Sequence, residues 1–161
     1  MSNKIIINKT LKPFNKIIEI EGDKSLSIRC ALLASQAKGK SKITNLLKSE
    51  DVLNTINSLK RLGINSRFKK NKCEIFGLGL NNYIYKKNII LDSGNSGTLA
   101  RLIIGLLIHS KEKIKIIGDK SLSKRDFFRI TKPLEKFGAK FKTNNGKLPI
   151  IIKGTNNPKP I

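Results

Sequence analysis

The sequence has no tryptophan, one histidine, one methionine and two cysteines, and its aromatic content is 6%. Each shortage excludes something. With so few aromatic rings there is no ready platform on which bases of a single-stranded nucleic acid stack. A lone histidine and two cysteines, Cys30 and Cys73, give none of the close spacings of a zinc or redox motif, so no metal is expected, and both thiols are expected to be buried and reduced. Long apolar runs are also missing. The longest, Leu99 to Ile108, is broken by Arg101 and Gly105 and is too short to cross a bilayer. The N-terminus offers only Ile5, Ile6 and Ile7 in a row, far short of a secretory core, so a cytoplasmic location is expected.

Acidic residues are scarce too: 11 Asp plus Glu stand against 33 Lys plus Arg, a net charge of +22. Such an excess raises nucleic acid as a partner. The lysines, however, are scattered through every segment and accompany many Ile and Asn, the mark of a general compositional bias more than of a binding stripe. A positive field equally suits small anionic substrates. At 161 residues and 39% hydrophobic content the chain is long enough to bury a core.

Hydrophobic period and chain breakers describe a pattern that occurs twice. After a short strand near Lys4–Asn8, a strand is expected at Lys16–Ile20, a loop at Gly22–Ser25 and a helix at Ser27–Lys38 ended by Gly39. A strand follows at Ile43–Leu46. The next helix has Ser49 at its N-cap, Glu50 and Asp51 in its first turn, Val52, Leu53, Ile56, Leu59 and Leu62 on one face, and Gly63 at its end. Strands at Ile64–Lys69 and Lys72–Phe76, joined by a turn at Lys70 and Asn71, close this part. The order then recurs: strand Asn88–Asp92, loop Ser93–Gly97, helix Thr98–His109, strand Lys113–Ile117, loop Gly118–Ser121, helix Asp126–Phe137, and strands Ala139–Thr143 and Leu148–Lys153. The expected class is α/β, with two βαβαββ units over 16–80 and 88–154, an N-terminal strand segment over 1–15 and a linker over 155–161. His109, at the expected end of a helix, fits a surface or capping role.

Three strand-to-helix loops share one spacing. Gly22-Asp23-Lys24-Ser25 is followed by Arg29, Gly94-Asn95-Ser96-Gly97 by Arg101, and Gly118-Asp119-Lys120-Ser121 by Arg125, the arginine falling seven residues after the first glycine each time. The hexapeptide Gly-Asp-Lys-Ser-Leu-Ser is identical at 22–27 and 118–123. Taken singly, a loop of this kind is ordinary turn and N-cap chemistry. Three copies point to a site for anions: glycine lets the backbone approach a ligand, helix-start amides attract negative charge, and the arginine fork matches phosphate or carboxylate oxygens in pairs. That geometry names no reaction.

A resemblance does. Gly22 to Arg29 with Ala31-Leu32-Leu33-Ala34, Thr44-Asn45-Leu46-Leu47 with Ser49-Glu50-Asp51, Leu91 to Thr98 with Arg101, and Gly118 to Arg125 with Arg129 and Pro133-Leu134 resemble, in order, the signatures of the 5-enolpyruvylshikimate-3-phosphate synthase family. The resemblance implies the inside-out α/β barrel fold of enolpyruvyl transferases, built from βαβαββ units. It also implies transfer of the enolpyruvyl group of phosphoenolpyruvate to the 5-hydroxyl of shikimate 3-phosphate, with no metal or organic cofactor and with glyphosate as an inhibitor. Carried over by position, it implies Lys24, Ser25 and Arg29 for shikimate 3-phosphate, and Lys24, Gly97 and Arg125 for phosphoenolpyruvate. Asn95, Thr98 and Arg101 shape or charge the second loop, and Lys24 is the catalytic candidate. In the family, residues 1–15 belong to the opposing domain. Asp126 departs from the pattern, standing where the family usually has proline.

The family's chain is more than twice this length, so a fragment, a truncated copy or half of a split enzyme completed by a separate C-terminal half is expected, inactive alone. The alternatives are the sister transferase acting on UDP-N-acetylglucosamine, a non-catalytic anion-binding remnant, and a basic nucleic-acid-binding module. Against the sister enzyme, Lys24 is followed by Ser25 instead of Asn, Arg29 is present, and Cys73 falls in an expected strand.

Overall fold

In a computed structural model, which describes residues 6, 8, 10, 12–13, 15–69 and 72–160, two successive units share one hydrophobic core. The first contains α1 (Lys24–Gln36), β1 (Lys38–Thr44), α2 (Glu50–Arg61), β2 (Asn65–Lys69) and β3 (Lys72–Leu78). The second contains β4 (Ile89–Asp92), α3 (Gly97–Leu106), β5 (Ile114–Ile117), α4 (Phe128–Lys136), β6 (Lys140–Asn144) and β7 (Lys147–Lys153), with a short 3₁₀ turn at Leu122–Lys124 before α4. The first sheet has the order β1-β3-β2 and the second β4-β5-β7-β6. In both, the last strand runs antiparallel between its two neighbours. β4 pairs in parallel with β5, which a crossover through α3 permits.

The second unit thus shows the full βαβαββ order. The first shows αβαββ, because the strand expected at Lys16–Ile20 does not form. A strand needs a ladder. Among the described residues that stretch is held by a single side-chain bond, Asn45 Nδ2 to the Ile20 carbonyl at 3.1 Å, and Ile17 stands 98% exposed. The expected strand at Lys4–Asn8 rests on Lys4, Ile5 and Ile7, and the expected turn on Lys70 and Asn71, all outside the described residues.

Other boundaries move for local reasons. α1 starts at Lys24, three residues early, because Asp23 caps it: its Oδ1 accepts the Leu26 N–H at 2.7 Å, and its carbonyl accepts from Ser27 at 3.0 Å. It ends at Gln36, and Gly39, the expected helix stop, lies inside β1. β1 is longer and earlier than expected because pairing with β3 orders Lys38, Lys40 and Lys42, whose outward side chains give no hydrophobic alternation. α3 runs Gly97–Leu106 instead of Thr98–His109, so His109 lies in the turn beyond it, half-buried. α4 begins at Phe128, not Asp126. Ser49 does hold the N-cap position of α2, but its hydroxyl makes no capping bond and is buried without a partner among the described residues. At the other end Gly63, at φ +88°, closes α2 as expected.

The core joins the units. Ile28, Ala31 and Leu32 of α1, Val52, Ile56 and Leu59 of α2, Leu99, Ile103 and Ile104 of α3, and Ile114, Ile116, Ile150 and Ile152 of the second sheet form one cluster. Burying one such leucine or isoleucine is worth about 1.5–3 kcal/mol, so neither unit has an independent core to spare. Cys73 is buried in this layer, and burial first, then Glu74, pushes its thiol up from the usual value. Cys30, expected to be buried as well, is exposed, because α1 turns it outward with Leu26 and Leu33.

A feature of the repeat unread in the sequence is the way each unit closes. Gly77 in β3 passes so near the end of α1 that a Cβ would lie 2.2 Å from the Ala37 carbonyl, and Gly154 after β7 passes the turn beyond α3 with 2.3 Å to the Ser110 nitrogen. Only glycine fits either crossing. If the Asp23 cap sets the start of α1, Asp23→Ala should lower stability by about 1 kcal/mol. The measurement is a urea titration in which the midpoint falls and the slope is unchanged.

Candidate anion-binding site

The three loops are drawn together at the starts of the helices. At the first loop, the two copies of Gly-Asp-Lys-Ser-Leu-Ser set the comparison: Asp119 Oδ1 accepts the Leu122 N–H at 2.6 Å and its carbonyl accepts from Ser123 at 2.9 Å, repeating the bonds of Asp23. Identical residues make identical first turns. The continuations differ, since the first copy runs on into thirteen residues of α1 whereas the second stops after the 3₁₀ turn. Arg29 therefore sits on α1, one turn beyond Ser25. Arg125 caps the 3₁₀ turn in extended backbone, and the equal sequence spacing does not mean equal geometry.

The second and third loops are knitted to each other. The Asp119 N–H donates to the Gly94 carbonyl at 2.8 Å, and Ser93 N–H to Ile117 O at 2.9 Å. Asn95 joins the loops through its side chain, its Nδ2 donating to Asp119 Oδ2 at 2.6 Å and its Oδ1 accepting from Arg125 Nη2 at 3.3 Å. These bonds to Leu122 and Asn95 hold the Asp119 carboxyl below its ordinary value. At the head of α3, Ser96 Oγ accepts from Leu99 N–H at 3.3 Å, leaving the N–H groups of Gly97 and Thr98 without an acceptor among the described residues.

Two guanidinium groups converge over Gly97. A Cβ there would lie 2.6 Å from Arg101 Nη1 and 2.9 Å from Arg125 Nη1. A side chain at this point would displace the ends of these two arginines. Arg101 lies on the ring of the fully buried Phe127, 5.1 Å from its centroid, and its Nε is buried with no partner among the described residues. Burial, then Arg129, then Arg125 lower its guanidinium from the ordinary arginine value, with Asp126 acting in the other direction. No carboxylate lies within 4.0 Å of Arg29, Arg101, Arg125 or Arg129 among the described residues. Like charges gathered without a close ion pair among the described residues, beside open helix-start amides, suit an anion.

The first loop reaches this cluster through α2. Lys24 Nζ pairs with Asp51 Oδ2 at 3.0 Å, and Gly94 lies against the same turn of α2, its Cβ position 2.3 Å from Asn54 Nδ2. The structure thus brings Asn95, Gly97, Thr98, Arg101 and Arg125 into one patch and joins Lys24 to it through the first turn of α2, while no hydrogen bond or ion pair of Ser25 or Arg29 with that patch is found among the described residues. Four contributors were not among the site residues expected from the sequence: Asp51 stood in the first turn of an expected helix, Asp119 in the Gly118–Ser121 loop, Arg129 in the third motif, and Phe127 only inside the helix expected at Asp126–Phe137. Among the described residues no three His, Cys, Asp or Glu side chains are grouped to hold a metal ion, and no helix is long and apolar enough to cross a membrane. A cavity of about 540 Å³, lined by Tyr83, Tyr85, Leu106, His109 and Glu112, lies at the far end of α3 and includes none of the loop residues.

Fold and site together define an α/β repeat protein with a cation-rich loop surface. A family model for EPSP synthase (3-phosphoshikimate 1-carboxyvinyltransferase) matches residues 8–161. The 3-phosphoshikimate 1-carboxyvinyltransferase of Ruthia magnifica subsp. Calyptogena magnifica is 42% identical over 147 residues, 89% of this chain and 34% of that protein. That of Vesicomyosocius okutanii subsp. Calyptogena okutanii is 40% identical over 160 residues, 99% of this chain and 36% of that protein. The solved EPSP synthase of Acinetobacter baumannii superposes with a TM-score of 0.81 at 33% identity, over 89% of this chain and 33% of that one. The chain belongs to the EPSP synthase family, and it spans about a third of the length of the curated relatives it matches.

The Asp119 bonds carry a pH dependence. Its folded carboxyl is held below the ordinary 3.8, so the unfolded chain binds the proton more readily and stability rises with pH through this window. The contribution is complete above about pH 4 and is lost as pH falls through the folded value. Acid titration followed by circular dichroism should show Asp119→Ala less stable than the parent at neutral pH, with the difference shrinking as the solution is acidified.

Proposed function

We propose that this loop surface binds phosphoenolpyruvate and shikimate 3-phosphate and holds them for transfer of the enolpyruvyl group to the 5-hydroxyl of the second, in the cytoplasm. The observation that carries the reading is the convergence of Arg101 and Arg125 over Gly97, with no carboxylate within 4.0 Å of either among the described residues; membership of the family supports it. Gly97, Arg125 and Lys24 receive phosphoenolpyruvate, with Asn95, Thr98 and Arg101 shaping and charging the loop. Lys24, Ser25 and Arg29 receive shikimate 3-phosphate.

In the reaction the 5-hydroxyl oxygen adds to C2 of phosphoenolpyruvate, a tetrahedral intermediate forms, and expulsion of phosphate restores the double bond. The chemistry of this surface is electrostatic. Fixed cations offset the charge of two anionic ligands and set the reacting atoms side by side, which lowers the barrier through positioning and charge stabilisation. In this reading Lys24, paired with Asp51 at 3.0 Å, contacts both ligands and takes part in proton transfer at the reacting oxygen. Glyphosate, as an anion competing for the Gly97 loop, inhibits the complete enzyme.

The units over 16–80 and 88–154 supply one wall of the cleft, residues 1–15 belong to the facing domain, and 155–161 form a linker. Closure against a second wall, which excludes water, is needed for turnover.

Two experiments test the reading. Calorimetry on the 161-residue chain should show weak, salt-sensitive binding of each ligand. Arg29→Ala should weaken shikimate 3-phosphate binding by about 1.5–3 kcal/mol, as expected for a charged hydrogen bond. In the same titrations Gly97→Ala should weaken phosphoenolpyruvate binding while leaving shikimate 3-phosphate unaffected; unchanged affinities in both variants would remove the assignments. In the second, the chain alone should release no phosphate from phosphoenolpyruvate, and mixing with a separately expressed C-terminal half of a relative should start a release that depends on shikimate 3-phosphate. Turnover by the chain alone at rates on the order of 1–1000 per second, typical of enzymes, would overturn the two-walled cleft.

A further inference from the structure

The Arg125 guanidinium is divided between two neighbours. Its Nη1 stands 2.9 Å from the place a Cβ would take on Gly97, while its Nη2 donates to Asn95 Oδ1 at 3.3 Å. The other end of that amide, Nδ2, donates to Asp119 Oδ2 at 2.6 Å. Asp119 keeps its second oxygen on the backbone, Oδ1 accepting the Leu122 N–H at 2.6 Å, and its own N–H donates to the Gly94 carbonyl at 2.8 Å. Hydrogen bonds thus run in a line from the 3₁₀ turn, through a carboxylate and an amide, to the cation over Gly97. Among the described residues the Arg125 side chain makes no other hydrogen bond and no ion pair within 4.0 Å.

Chemistry dictates the order of donors and acceptors along this line. A carboxylate only accepts and a guanidinium only donates, so the amide between them has one allowed orientation, NH2 toward Asp119 and carbonyl toward Arg125. Suppose residue 119 carried an amide in place of the carboxylate. Its oxygen would stay on the Leu122 N–H and its NH2 would meet Asn95. Asn95 would then turn its carbonyl toward residue 119 and bring its own NH2 against the guanidinium, donor against donor. The fork would lose its one anchor.

We infer that Asp119 is a positioning residue of the phosphoenolpyruvate loop: by fixing which end of the Asn95 amide meets Arg125, it holds that guanidinium over Gly97 before a ligand arrives. The inference rests on the phosphoenolpyruvate reading of the loop, and its sign is opposite to that of simple charge. On charge alone, neutralising a carboxylate near an anion site tightens binding. On the positioning role the same change weakens binding, because the ordering of a long side chain is left to the ligand.

The test is calorimetric titration of phosphoenolpyruvate into the full 161-residue chain for the parent, Asp119→Asn, Asp119→Ser, Asn95→Ala, the Asp119→Asn/Asn95→Ala double variant and Arg125→Ala, with thermal melts and nitrogen–proton correlation spectra of the side-chain amides. Asparagine and serine each keep an oxygen for the Leu122 N–H, so the cap survives. Both should bind about two- to tenfold more weakly, the cost of ordering one long side chain, and Asn95→Ala should lose as much. Asp119→Asn should cost nothing further in the Asn95→Ala background, since its effect passes through Asn95, whereas a merely structural effect would add there. The Asn95 side-chain amide resonances should move in both single Asp119 variants. Serine supplies the readout should the asparagine variant fail to fold. Neutral variants that bind as the parent does or more tightly while Arg125→Ala loses binding, or losses that add in the double variant, refute the positioning role and leave the anion site standing. If Arg125→Ala binds as the parent does, or no protein in the series binds, the site reading fails and the inference fails with it.

Discussion

Placing two guanidinium groups over one glycine is electrostatically unfavourable, and everything near the loops bears on how that arrangement is maintained. The cost is limited because Arg125 is exposed to water, where like charges are screened. The remainder is met locally: a buried aromatic face under Arg101, and the Asn95 amide, which accepts from Arg125 while donating to Asp119. Asn95 can do both only because the amide has an acceptor and a donor at its two ends. Its partner Asp119 is immobilised in turn by the Leu122 N–H. A helix-capping interaction at the third loop is therefore also what holds a cation at the second.

Much of the fold was legible in the sequence, and the failures have physical causes. α2 could be read because its apolar stripe, acidic first turn and terminal Gly63 agree with one another. Of β1 only the end at Ile43 and Thr44 could, since Lys38, Lys40 and Lys42 are exposed and alternate with Gly39 and Ser41; the strand character of that first part comes from β3. Lys16–Ile20 failed in the opposite sense. Its isoleucines carry strong β-propensity, but propensity does not supply a neighbouring strand.

The loops show the same division between local and non-local information. The Gly-Asp-Lys-Ser-Leu-Ser repeat specified its own cap in both copies, down to which oxygen accepts which N–H. It did not specify the next residues. Ile28 is buried in the core, which carries α1 onward, whereas Lys124 at the matching place is exposed and the turn ends. Arg29 and Arg125, equally spaced in the sequence, consequently stand on different backbones. The bonds among Asn95, Asp119 and Arg125 join residues 24 and 30 positions apart, which no local spacing could reveal.

The glycine crossings at the ends of the units bear on how the chain tolerates change in length. At Gly77 and Gly154 a strand end is pressed against the backbone leaving a helix, so an inserted or deleted residue at either place would drive a side chain into a carbonyl or amide. The stretch between the units has exposed Leu80, Asn81 and Ile84, and past residues 80–82 it is anchored where Tyr83 meets Ser35 at 2.8 Å and where the Ile84 N–H donates to the Leu62 carbonyl at 3.0 Å. Natural length variation in this part of the molecule should therefore collect around residues 80–82 and spare the crossings, because spacing is fixed where backbones touch and free where only side chains do.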